Sequence, residues 1–455
     1  MTLREENALL KQEIVELKQE ITNSKQFIAK LQQCLLEYEV KRDSSNSSIP
    51  PSQDRFRPKK TSSLREKSGK KSGGQLGHQG VTLQMKEEVD ETQMHSPDYC
   101  FSCGKSLANI SGNASEIRQS IDIPLPVRPV VINHISIEKQ CTCGACTKGS
   151  FPDYVKTGVS YGVNIHALIA YLSTIQSIPF KRLTIILKDF YGLEISQGTV
   201  SNILNRMRKQ AEPAYEAIKN KIKESSVVGA DETGERLNGK LHWMWTFQND
   251  YLTYIYQDPS RGKAAIDKHF PQGLPQSVLV SDRHSSYFNM NTAGHQLCLA
   301  HLLRELTYLG ELDKKQKWSF EFLELFQESI HLKKTLQLTD IDIGNIRQRF
   351  NVLINEDLND LDKKFGNLQK SLAKHSQHVF MFLEHEHVPF DNNASERSIR
   401  PLKVKQKVSG MFKSGEGADN FCMLHSIADT ARKNKQNPFL ALVAVAQNII
   451  SEQGE

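Results

Sequence analysis

The chain has 455 residues, 38% of them hydrophobic, and a formal charge of +6. That length holds two to four domains with a sizeable core and excludes a single small module. No stretch offers about eighteen uncharged apolar residues in a row, and the start MTLREENALL lacks the apolar segment of a signal peptide, so neither a membrane span nor secretion is expected and the chain reads as cytoplasmic.

Residues 1–42 carry a heptad. Asn7, Ile14, Ile21, Ile28 and Leu35 recur every seven residues, and Leu3, Leu10, Leu17, Ser24, Leu31 and Tyr38 form a second seam. Mostly Ile at one seam and Leu at the other favours a parallel two-stranded coiled coil, with Asn7 helping to fix register. The expected assembly is a homodimer or higher oligomer. Residues 43–90 follow as a basic flexible linker, rich in Ser, Pro, Gly and Lys without an apolar period. From Lys41 to Lys71 ten Lys/Arg stand against three Asp/Glu. Such a tract is either solvated or in contact with a polyanion; on the second reading Lys59, Lys60, Lys70 and Lys71 contact nucleic acid.

Eight cysteines are too few for a disulfide scaffold in a chain this long, and five of them crowd into Cys100 to Cys146. Within 91–150, the pairs Cys100/Cys103 and Cys143/Cys146 have the C-x2-C spacing that lets four thiolates surround a structural Zn2+, with Cys141 able to replace Cys143. The alternating run RPVVINHISIE between them reads as a strand, which suits a zinc ribbon. Residues 151–217 turn helical. In PFKRLTIILKDFYGLEISQGTVSNILNRMRKQ a helix, a turn at Gly192 and a second helix from near Ser196 to Lys209 fit a DNA-reading helix-turn-helix or a plain helical hairpin.

The period then switches to two. VVGADET, LHWMWTF, LTYIYQ, SVLVSD and HQLCLAH read as strands, with a helix over 261–269. Trp243 and Trp245 share one strand face and read as core. From about His301 to Glu386 helical patterns return, and they resume after Asn393, with Pro401 expected to kink or break the helix and Pro438 opening a last one.

Asp231 closes the run VVGA, and Asp282 closes SVLVS. Carboxylates at the ends of neighbouring strands can converge at one sheet edge, where Glu396, in FDNNASERSIRP, can complete a cluster of three from a later helix. Three carboxylates within about 4 Å repel by roughly 4 kcal/mol per pair at an effective dielectric of about 20, so the cluster should hold cations or protons. Oxygen ligands favour Mg2+ or Mn2+, and two such ions support in-line attack on a phosphodiester. Arg397, Arg400, Lys403 and Lys407 would hold the polyanion. The plainer alternative is a capped helix start with an ordinary Glu396–Arg400 pair. Glu232, next to Asp231, should face the other side of its strand.

These pieces, in order over nearly the whole length, resemble the transposases of the insertion-sequence-sixty-six family, of the DDE type with an RNase-H-like core. The matching segments are the zipper-like start, SSNSSIPPSQD, GGQLGHQG, the paired cysteines, GADETGERLNGKLHW, LVSDRHSSYF, LCLAHLLREL and FDNNASERSIRPLKVKQKVSGMFKSGEGADNFC. The resemblance implies that Asp231, Asp282 and Glu396 are the catalytic triad and the ligands of two Mg2+ or Mn2+ ions. It makes 218–300 and 389–455 two parts of an RNase-H-like α/β core around an all-helical insertion at 301–388. The fold class expected is multidomain α+β: coiled coil, zinc ribbon, helical DNA-binding region and that core. A dimer would bind terminal inverted repeats, cleave a strand and join the 3′-hydroxyl to target DNA, with accessory proteins of the same element as further partners. Cys298 and His301 match a C-x2-H element of several DDE transposases and suit support of the site better than zinc. Trp318 falls where some related transposases stack an aromatic on a flipped base, although core packing explains it equally. Ser281 and Arg283 depart from the residues expected beside the second aspartate. The competing readings are a non-enzymatic dimeric zinc-containing DNA-binding regulator and a nuclease without strand transfer.

Overall fold

The computed structural model describes residues 3–39, 46, 85–111, 113–114, 116–121, 127–140, 142–143, 145–151, 155, 160–335 and 339–447. Cys141, Lys59, Lys60, Lys70 and Lys71 lie outside them. The heptad segment is one helix, α1 (Leu3–Glu39), whose seam residues Ile14, Leu17, Ile21, Ile28, Leu31 and Leu35 are all exposed on the single chain. In the cysteine-rich part β1 (Glu138–Gln140) pairs antiparallel with β2 (Cys146–Lys148). The expected strand through RPVVINHISIE does not form before Glu138. Its Val130, Val131, Ile132 and Ile135 are exposed, and an alternating run without a ladder partner has nothing to hold it as a strand.

Next come α2 (Val163–Ala170), a π-helical turn, α3 (Phe180–Tyr191) and α4 (Gln197–Lys223). Gly192 caps α3 in the left-handed region at φ 64°, and the Ser196 hydroxyl accepts from Thr199 N at 3.0 Å to start α4. The expected end near Lys209 is overrun. Met207, Ala211, Tyr215, Ile218 and Ile222 continue one buried stripe through Pro213, and Tyr215 Oη donates to Ile255 O at 2.6 Å. Burial of that stripe outweighs the backbone bond that proline removes.

The stripe leads to a five-stranded mixed sheet. β3 (Val227–Leu237), β4 (Lys240–Gln248) and β5 (Thr253–Asp258) form an antiparallel meander, its first turn made by Asn238 and Gly239 at positive φ, as a two-residue hairpin demands. After α5 (Lys263–His269), β6 (Leu274–Ser281) lies parallel to β3; after α6 (Ser285–Phe288), β7 (Thr292–Leu297) lies parallel to β6. The order is β5-β4-β3-β6-β7. The strand read in HQLCLAH stops at Leu297, because Leu299, Leu302, Leu303 and Leu306 follow helical spacing and open α7 (Leu299–Leu312).

α7 begins a helical segment with α8 (Trp318–Thr335), α9 (Asp340–Ile354), α10 (Lys363–Lys374) and α11 (Met381–Glu384). Its core is continuous with Val278, Val280 and Leu297 of the sheet. The opposite sheet face, with Val228, Ala230, Trp245, Phe247 and Leu279, shares its core with residues of α4, α5 and α6. The chain ends in α12 (Asn393–Ser409), α13 (Gly415–Lys433) and α14 (Pro438–Ala446). α12 packs on Met244 and Ile255 through Ile399 and Leu402 and runs unbroken past Pro401. None of the helices among the described residues is long and apolar enough to cross a membrane.

Candidate active site

Parallel pairing of β3 with β6 leads towards both aspartates. Val227, Val228 and Gly229 of β3 lie opposite Val278, Leu279 and Val280 of β6. The ladder stops there, two residues short of Asp231 and Asp282, and the charge of Asp282 acts on the buried Asp231 carboxyl. Asp282 follows β6 directly, and its Oδ1 accepts from His284 N at 2.9 Å, a local turn that fixes the carboxylate at the strand end.

Glu396 comes from the first turn of α12, and Asn392 fixes where that turn begins. Its Nδ2 donates to Ala230 O at 2.6 Å, its Oδ1 accepts from Ser395 Oγ at 2.6 Å, and its backbone N–H donates to Cys298 Sγ at 3.2 Å. One buried residue thus ties the helix start through its side chain to the residue before Asp231 and through its backbone to the residue before α7. The approach is close enough to require Gly229, where a Cβ would meet Gln248 Nε2 and Ser395 Oγ at 2.5 Å.

The field at the site is set by carboxylates. Burial raises the Asp231 carboxyl well above its ordinary range, and the charges of Glu232, Asp282 and Glu396 push the same way. Oε1 of Glu396 is buried and finds no hydrogen-bond donor among the described residues. Its nearest cations are Arg304 Nη2 at 3.7 Å and His301 Nε2 at 3.8 Å. Burial, and then Arg304, push the His301 pKa down, opposed by Glu396 and Asp282. Crowded carboxylates with an unmet buried oxygen have the donor chemistry of a hard divalent cation. Among the described residues no three His, Cys, Asp or Glu side chains already close on one point as a ligand shell.

The other candidates divide. Glu232 faces away from Asp231 as expected, with Oε1 accepting from Arg261 Nε and Nη2 at 2.9 and 2.7 Å and Oε2 accepting from Tyr287 Oη. Arg397, Arg400 and Lys407 are exposed, and the ion partner of Glu396 is Arg304 rather than Arg400. Lys403 is drawn inward: its Nζ donates to Gly234 O at 3.2 Å, and burial lowers its pKa against the pull of Glu235 and Asp231. Cys298 is buried as an acceptor for Asn392, its thiol pushed up to about 12 chiefly by burial, which suits support rather than zinc. Trp318 is 1% exposed and donates to Leu353 O at 2.8 Å, a core position out of reach of a flipped base. Trp245 is fully buried, and Trp243 packs against the same core. Arg304 and Gly229 escaped the sequence reading, and Asn392 entered it only as a turn or cap residue before Glu396. The only local signal was the i,i+3 spacing of His301 and Arg304, which puts both on one helix face.

In the cysteine-rich part Cys100 and Cys103 form a tight turn, with Cys100 N donating to Lys105 O at 2.8 Å and Gly104 N to Cys100 O at 2.9 Å. The Cys100 thiol is lowered first by the backbone N–H of Cys103, then by that of Ser102. Cys143 and Cys146 are exposed free thiols. Among the described residues the two pairs do not meet.

A family model described as Transposase IS66 family matches residues 158–420, and a family of unknown function matches residues 1–84. Uncharacterized protein y4jD of Sinorhizobium fredii (strain NBRC 101917 / NGR234) is 22% identical over 392 residues, covering 77% of this chain and 75% of that protein. The first match takes in β3, β6 and the start of α12, the elements that carry Asp231, Asp282 and Glu396, and spans more than half of the sequence: this chain belongs to the IS66 family of transposases.

Proposed function

We propose that this transposase cuts and joins DNA by the DDE route, with Asp231, Asp282 and Glu396 as the triad on an RNase-H-like core. The observation that supports the reading is that the charges of Asp282 and Glu396 both act on the buried Asp231 carboxyl, with the start of the Glu396 helix tied to Ala230 by Asn392. A helical segment between β7 and α12 agrees with the insertion that the resemblance implies. Two divalent ions, Mg2+ or Mn2+, held by these carboxylates would supply activation of a water or 3′-hydroxyl and stabilisation of the leaving oxygen. Arg304 and His301 orient Glu396 from α7. Exposed Arg400 and Lys407 hold the phosphate backbone along α12, as Lys59, Lys60, Lys70 and Lys71 do ahead of the core. As the new P–O bond forms the opposite one breaks, so cleavage consumes a water and strand transfer exchanges one phosphodiester for another without ATP.

The same reading makes α1 the dimer contact through its exposed seam. It places zinc on Cys100, Cys103, Cys146 and either Cys143 or Cys141 as a clamp on the segment before the core. The test uses duplexes carrying the inverted repeats that flank the gene. Wild-type protein with Mg2+ or Mn2+ is expected to nick them, and Asp282→Asn to lose nicking by at least about a thousandfold while keeping end binding. Binding by wild type without any nicking would replace the enzyme by a DNA-binding regulator.

A further inference from the structure

Glu396 and Arg397 are neighbours on α12 and so point about 100° apart around it. The carboxylate faces α7, whereas the guanidinium lines a separate open cleft of about 310 Å3. That cleft is walled by Gln248, Asn249 and Asp250 at the end of β4 and the turn after it, and by Asp429, Arg432 and Lys433 at the end of α13. Its charges are unevenly matched. Among the described residues no acidic side chain pairs with Arg397. Lys433 Nζ is held by neutral acceptors, Gln248 Oε1 at 2.8 Å, Asn249 O at 2.6 Å and Leu252 O at 2.9 Å, which fix the ammonium without cancelling its charge. Arg432 has only a 3.5 Å contact with Asp429, whose other oxygen accepts from Thr253 Oγ1. Asp250 is exposed to solvent at the mouth, and its charge acts on Lys433. The result is a polar recess with a fixed cation at its wall and two guanidinium groups at its mouth, a fork geometry suited to phosphate oxygens.

We infer that this cleft is a phosphodiester-binding subsite for the DNA strand next to the reacting bond, formed by Arg397, Arg432 and Lys433. The inference rests on the DDE reading above, because it is the closeness of Glu396 that makes DNA the polyanion. Arg397 follows Glu396 directly on α12 and lines the cleft, so a strand held at Glu396 has the cleft beside it. Arg397 acts with two residues of α13 rather than with Arg400 and Lys403 of its own helix.

The experiment uses the full chain without divalent metal and follows the anisotropy of a fluorescein-labelled duplex carrying the flanking repeat over a range of salt concentrations. Arg432→Gln and Arg397→Gln are expected to weaken binding a few-fold each and to lower the slope of log affinity against log salt by about one unit. Asp250→Asn, which removes a negative charge at the mouth, is expected to tighten binding, a gain that misfolding cannot mimic. Arg349→Gln, which breaks a pair with Glu328 on the helical segment, should bind as wild type. Wild-type affinity and slope in both Arg432→Gln and Asp250→Asn would overturn the subsite. Failure of the DDE reading would appear elsewhere, as absence of nicking by wild-type protein when metal is restored.

Discussion

Gly229 determines how closely α12 can approach β3, and with it where Glu396 sits. The groups that a Cβ would strike are linked to one another: Gln248 Nε2 donates to Ser395 Oγ at 3.1 Å, Ser395 Oγ to Asn392 Oδ1, and Asn392 Nδ2 to Ala230 O. None can yield without uncovering a buried polar partner. Gly229→Ala should therefore destabilise the protein by about 1–3 kcal/mol, the usual range for overpacking, and reduce strand cleavage further than it reduces end binding. Urea midpoints and a nicking assay on the same variant check this; a wild-type midpoint with wild-type nicking would show that α12 does not depend on the close approach. The sequence marked Asp282 and Glu396 by the strand end and helix start beside them, and Asp231 by the apolar run before it, although β3 does not end there as expected but runs on to Leu237. It could not mark Gly229, whose requirement arises from Gln248 on the next strand and from Asn392 and Ser395, more than 150 positions away. Nor could it choose the partner of Glu396. Arg400 was the local candidate at i,i+4, but the fold offers Arg304, nearly a hundred residues upstream.

Elements were legible where a pattern met a partner. The runs that became β3, β4, β5 and β6 alternate or stay apolar, and each found a neighbour in the sheet. RPVVINHISIE has the same pattern without a ladder before Glu138, and α4 ran past its expected end because its apolar stripe had a surface to cover. Period alone does not say what an element will pack against. Trp318 illustrates the point, since its position in a helical segment left a base-stacking role open until its surroundings were known. Its ring meets Phe322 at 4.8 Å and Phe365 at 6.0 Å between centroids, and its N–H is used by Leu353 O. Trp318→Ala should cost about 3–5 kcal/mol of stability, with cleavage lost only in proportion to the unfolded fraction. A variant with wild-type urea midpoint and strongly reduced cleavage would restore the base-stacking role.

Across the whole molecule, buried histidines tie stability to pH. His166 on α2, His269 on α5, His295 on β7 and His425 on α13 are each lowered to about 4, in every case chiefly by burial. His295 feels His378 and His375 as well, across the seam between the sheet and the helical segment. In the unfolded chain these groups protonate near 6.5, so between about 6.5 and 4 the unfolded state binds more protons than the native state. Stability then falls as pH drops through that window, by at most about 1.4 kcal/mol per pH unit for each histidine. Asp231 and Glu235 oppose this, since burial raises both and favours their protonated forms in the fold. With His301, His375 and His378 lowered in the same direction, the histidines outnumber the two carboxyls and leave a net loss on acidification, which reaches the helical region, the sheet and α13 together. Urea midpoints measured without metal should therefore drop steadily from pH 7 to pH 5; a midpoint that holds or rises over that range would mean that these histidines are protonated in the native protein and that their surroundings are more polar than the packing indicates.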